Sequence, residues 1–170
     1  MKKIEFDDSR KLFGAIFMTK TFDSFLISEA IIDLGYEVTV TGRLKTEASP
    51  VSEVAAVSEE TRYRVCEDTI SWGTVREFIN GLLPREGAPK KVKLVFKAPR
   101  SQFSKFIESN GLAEDNVEIL DMFINVHYEN DSAWCASGIS VSNAMNKSCA
   151  IKWDEKVEAF LARYGGTVTA

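Results

Sequence analysis

The stretch VEILDMFINVHYENDSAWCASGISVSNAM, residues 117–145, decides the fold. Met122, Ile124, Val126 and Tyr128 alternate with Phe123, Asn125, His127 and Glu129, the two-residue period of a strand. Glu129-Asn130-Asp131-Ser132 supplies a bend, because Asn and Asp take positive φ at low cost. Cys135, Ile139 and Val141 then fall on alternate positions of a returning strand. An even loop centred on Asn130-Asp131 sets Val126 against Cys135 and Met122 against Ile139, with His127 opposite Trp134 on the other face. A three-residue loop pairs Val126 with Trp134 instead, so both registers stand open at the level of sequence.

Elements of both kinds flank this hairpin. Downstream, Ser148 can cap a helix with a continuous stripe of Cys149, Trp153, Val157, Phe160, Leu161 and Tyr164, closed by Gly165-Gly166. Upstream, residues 91–98 form a strand with Val92, Leu94, Phe96 and Ala98 inward and Lys91, Lys93 and Lys97 outward. Pro99 stops it, Ser101 caps a helix with Phe103, Phe106 and Ile107, and Asn110-Gly111 ends that helix. Thr74-Val75-Arg76-Glu77 has the form of a capping box, opening a helix with Val75, Phe78, Ile79 and Leu82.

Residues 36–44 alternate, with Tyr36, Val38, Val40 and Leu44 inward. Residues 45–60 read as an exposed excursion with a short helix over 52–60, and residues 62–71 as a strand through Tyr63, Val65 and Ile70. Residues 21–34 read as a helix at the centre of the packing, striped by Phe22, Phe25, Leu26, Ala30 and Leu34 and capped by Gly35. At the start, residues 2–6 form a strand. Asp7, Asp8 or Ser9 caps a helix with Leu12, Phe13, Ile16 and Phe17, which Gly14 weakens. The expected fold is α+β: an antiparallel sheet of 36–44, 91–98 and the 117–145 hairpin, with helices packed on one face. No repeat or linker divides it, so residues 1–170 are expected to form a single globular domain.

Composition narrows the function classes. At 45% hydrophobic and 27% charged, the chain has the make-up of a soluble globular protein. No apolar run approaches the roughly 20 residues of a membrane span. Acids at Glu5, Asp7 and Asp8 come too early for a secretory leader. Cys66, Cys135 and Cys149 are odd in number and form no Cys-x-x-Cys pair, which predicts reduced thiols in a cytoplasmic protein rather than disulfides or zinc. A net charge of −4 and a pI near 5.2 do not point to nucleic acid. The charge is nonetheless uneven: residues 85–105 carry seven basic residues against Glu86 alone, and every charge in residues 108–131 is acidic.

Two candidate features stand out. Arg85, Lys90, Lys91 and Lys93 follow a Gly/Pro loop whose free amides, beside outward lysines, suit a phosphate or an acidic protein partner. Alternating lysines are equally the means of keeping an exposed strand solvated. The loop lacks Gly-x-x-x-x-Gly-Lys, and no Gly-x-Gly-x-x-Gly occurs in the chain. His127, the only histidine, is a possible titrating acid or base, and equally an ordinary residue of a half-exposed sheet face. The carboxylates are scattered, so no metal site and no cofactor is expected.

A set of segments carries a family resemblance. They are Thr21-Phe22-Asp23-Ser24-Phe25-Leu26-Ile27-Ser28-Glu29-Ala30, Trp72 ahead of a helix, Gly87-Ala88-Pro89 before a strand, Tyr128, Ser137-Gly138, and Trp153-Asp154-Glu155 through Phe160-Leu161. Together they resemble an uncharacterised family of small proteins, a domain of unknown function from Gram-positive gut anaerobes. In that family the loop before the Lys91 strand is more consistently basic, whereas here Glu86 interrupts it. The resemblance implies one cytoplasmic domain and supplies no catalytic residue.

The first functional reading is therefore a non-enzymatic binding or interaction protein contacting an acidic or phosphate-bearing partner through Arg85, Lys90, Lys91 and Lys93. The alternatives are a small enzyme using carboxylate, lysine or His127 chemistry, and a self-associating structural protein.

Overall fold

The computed structural model describes residues 2–44, 68–112, 118–142 and 147–169. The expected excursion at 45–60, the first part of the 62–71 strand and the outermost ends of the hairpin lie outside these residues. Seven strands form one antiparallel sheet. They are β1 (Lys3–Phe6), β2 (Leu26–Asp33), β3 (Glu37–Thr41), β4 (Lys91–Lys97), β5 (Ile119–Glu129), β6 (Ser132–Val141) and β7 (Gly166–Val168), in the order β3-β2-β4-β5-β6-β1-β7. The helices are α1 (Ser9–Phe13), which runs on into a π-helical turn at Gly14–Met18, then α2 (Trp72–Leu82), α3 (Phe103–Ser109) and α4 (Ser148–Ala162).

The hairpin takes the even register: Val126 pairs with Cys135, Met122 with Ile139 and His127 with Trp134. Its two-residue turn has φ of 52° at Asn130 and 63° at Asp131, the left-handed pair that matches the twist of the flanking strands. Tyr128 Oη donates to Asp131 Oδ1 at 3.0 Å across that turn. Strand parity then separates two faces. Ile4, Ile32, Leu94, Phe96, Ile124, Val126 and Cys135 are buried on the face that the helices cover. Aromatic edges lock this core, with Trp72 against Phe96 at 5.4 Å and Phe106 against Trp153 at 5.9 Å.

The expected helix over 21–34 is instead a turn followed by strand β2. The physical reason is a β-bulge. The register with β4 shifts between Ile27 and Glu29, so that Ile27 faces Phe96 while Ala30 faces Leu94 and Ile32 faces Val92. One extra residue spreads the inward positions from a spacing of two to a spacing of three, and Leu26, Ile27, Ala30 and Ile31 then mimic a helical stripe. Phe22 still reaches the core from the turn, 5.1 Å from the Phe96 ring. Gly35, expected as a helix cap, turns β2 into β3 at φ 94°, where its amide donates to Asp33 Oδ1.

Smaller corrections concern ends. β3 is an edge strand, so Val38 and Val40 are half-buried while Tyr36 and Leu44 are exposed. α2 begins at Trp72, ahead of the expected capping box; the Thr74 hydroxyl meets that of Ser71 at 2.8 Å instead. Ser101 lies within a short 3-10 turn rather than at a cap, and Ser148 is the first residue of α4. At α1 the expectation holds: Asp8 Oδ1 accepts from the Arg10 amide at 3.0 Å. No helix among the described residues is long and apolar enough to cross a membrane.

Candidate functional site

The sheet divides the basic segment. Lys91, Lys93 and Lys97 stand on the face away from the helices, and each meets a carboxylate from a neighbouring strand. Lys93 Nζ lies 2.7 Å from Glu29, Lys97 Nζ 3.0 Å from Asp121 and Lys91 Nζ 3.7 Å from Glu129. His127 is the cross-strand neighbour of Lys93 on one side and Trp134 on the other. Its ring stacks on the indole at 4.0 Å and 11°, and Lys3 Nζ sits 5.4 Å from the Trp134 ring. Burial, followed by the charges of Lys93 and Lys91, holds the His127 imidazole below its ordinary pKa. Lys91, Lys93 and His127 are thus brought together, in a row already filled by ion pairs and ring stacking. Arg85 and Lys90 are not part of it. Both are exposed, and among the described residues neither side chain has an ion-pair partner.

On the helix face, a cavity opens beside the loop that carries Arg85. α1 does not continue as a regular helix: from Gly14 to Met18 it widens into the π turn. The turn is held by α2, whose Trp72 Nε1 donates to the Ile16 carbonyl at 2.8 Å and whose Arg76 Nη1 donates to that of Phe17 at 3.4 Å. The Arg76 guanidinium also grips both oxygens of Asp23, at 2.7 and 3.2 Å, tying the turn before β2 to the same helix. Trp72 and Arg76 thus satisfy carbonyls that the end of the helix at Met18 leaves without intrahelical partners, and π turns recur at functional sites.

The cavity has a volume of about 310 Å³ and is lined by Phe13, Gly14, Phe17, Leu83, Pro84 and Tyr128. Phe13 stacks on Phe17 at 5.5 Å and takes the edge of Tyr128 at 4.8 Å. Arg10 and the exposed Met18 stand at the margin. Burial, then the hydrogen bond to Asp131, raises the Tyr128 phenol above its ordinary pKa, so it is a neutral donor at neutral pH. In the sequence Phe13 and Phe17 read only as core. The readable signals were Gly14 inside a helical pattern and the Pro84 to Pro89 loop.

Ser137 and Asp154 share a buried hydrogen bond, but His127 projects from the opposite face of the sheet, so no Ser-His-Asp arrangement forms. No group of three or more His, Cys, Asp or Glu among the described residues is placed to hold a metal. Cys135 and Cys149 are both buried, and burial pushes the Cys135 thiol pKa far up.

The fold and site define an α+β protein with one helix-covered sheet face and an apolar cavity at its margin. Residues 15–166 match a family of unknown function, DUF5721, and the chain belongs to that family. No curated protein and no solved structure matches it.

Proposed function

We propose that this is a single-domain, non-enzymatic binding protein of the cytoplasm, taking the apolar part of an acidic or phosphate-bearing partner into the cavity beside residues 83–90. The cavity carries the reading: at about 310 Å³ it falls at the lower end of the range of small-molecule sites, apolar with a few polar groups at its edge. Arg85 and Lys90 support the anionic half of the ligand, because they flank the loop wall without carboxylate partners among the described residues. Lys91 and Lys93 serve it less well, since an incoming anion must displace Glu129 and Glu29. The contact surface therefore moves from the strand to the loop. The free, buried Cys135 thiol supports a reducing compartment.

Calorimetric titration with decanoate and decyl phosphate, with decanol as the neutral reference, tests this. At about 0.5 kcal/mol per heavy atom for ten apolar atoms, Kd is expected on the order of 0.1 mM. Arg85→Glu with Lys90→Glu should weaken the two anions about tenfold and leave decanol unchanged. Lys91→Glu with Lys93→Glu should change neither by more than about twofold. A wild-type chain that binds none of the three probes refutes the proposal.

A further inference from the structure

We infer that Gly14 is the residue that keeps the cavity open, and that the group it admits is the apolar end of a linear or flat amphipathic anion. The inference rests on the binding reading above and deepens it. Glycine at this position has no conformational cause: its φ of −56° and ψ of −45° are ordinary right-handed helical values open to any residue. It has no steric cause either, because a Cβ built on Gly14 meets nothing within 4 Å. Gly42 and Gly138 differ, since a Cβ there would run into the Ile27 carbonyl and the Phe123 ring. Glycine within a helix is destabilising relative to alanine. Gly14 thus gives up helix stability at a point where nothing in the fold demands it. The open space it leaves is the cavity that it lines.

The walls specify what fits. Phe13, Leu83 and Pro84 give the cavity an apolar lining, with the almost fully buried Phe17 ring stacked on Phe13. An extended chain or a planar ring suits such a lining. The volume of about 310 Å³ is that of about ten waters. Arg85 and Lys90 on the loop side place the acid group outward, whereas Arg10 at the margin already grips both oxygens of Asp8, at 2.9 and 3.0 Å. A leucine at position 14 would add four carbons, on the order of 100 Å³, and occupy about a third of the space.

The test is titration of wild type, Gly14→Ala and Gly14→Leu with decanoate and the shorter hexanoate, alongside thermal unfolding. Gly14→Ala is expected to raise Tm by about 2–4 °C and weaken decanoate two- to threefold. Gly14→Leu is expected to fold with an undiminished Tm and to weaken decanoate at least tenfold, hexanoate less. If wild type binds decanoate and Gly14→Leu binds it equally well, the role of Gly14 is refuted while the binding reading stands. If wild type binds neither acid, the binding reading itself fails. A Gly14→Ala chain that unfolds below wild type would show that the fold requires glycine there, which also overturns the inference.

Discussion

Replacing Trp72 by phenylalanine is the most informative perturbation of the cavity wall, because one indole joins the π turn to α2. Trp72 is fully buried, its Nε1 donates to the Ile16 carbonyl at 2.8 Å, and its ring meets Phe17 at 5.7 Å and Phe96 at 5.4 Å. Phenylalanine keeps most of the aromatic contact and loses the donor. An orphaned buried carbonyl costs about 1–3 kcal/mol. The smaller ring leaves a void of roughly 40 Å³, worth about 1 kcal/mol at about 24 cal/mol per Å³. The expected loss is therefore about 2–4 kcal/mol, read as a lower midpoint in urea unfolding with an unchanged slope. Decanoate binding should weaken in the same variant, since Phe17 loses its support. A loss below about 1 kcal/mol would refute the idea that this hydrogen bond anchors the π turn.

Two further outcomes follow from the hairpin. Asn130 has φ 52°, which a β-branched residue takes at a cost, so Asn130→Val should destabilise by about 1–2 kcal/mol, measured by chemical unfolding; a neutral result would contradict the turn assignment. The second concerns pH. The unfolded His127 titrates near 6.5, above its folded value, so below that pH the unfolded chain binds more protons. Stability should be highest above about pH 6.5, fall as pH drops toward the lower folded-state pKa, and gain no further loss from this group below it. His127→Gln should flatten the urea midpoint against pH in that window; identical slopes in the two proteins would refute the assignment.

The hairpin was legible because its information is local: Asn130-Asp131 names the turn and alternation names the two strands, while the choice of register, Val126 on Cys135 and His127 on Trp134, comes from the structure. β2 was not, because the bulge between Ile27 and Glu29 writes a helix-like spacing into a strand. Its β-branched Ile27, Ile31 and Ile32 were the countersignal. The basic segment was legible as composition and misleading as a surface. Glu29, Asp121 and Glu129, which pair with its strand lysines, arrive from β2 and β5, and strand order lies beyond periodicity. The cavity was hidden for the same reason. Phe17, Pro84 and Tyr128 meet only once the seven-stranded order and the π turn are in place.

The central claim is that the ligand enters between the π turn and the loop, on the helix side of the sheet. Backbone amide chemical shifts followed during a decanoate titration test it most directly, because Gly14 and Gly87 both line the cavity and glycine amides are well separated in such spectra. Saturable shifts are expected at Gly14, Phe17, Gly87 and Tyr128, with Lys93, Glu5 and Trp134 on the opposite face unmoved. Shifts centred on Lys93 and Trp134, or none at all, would contradict it.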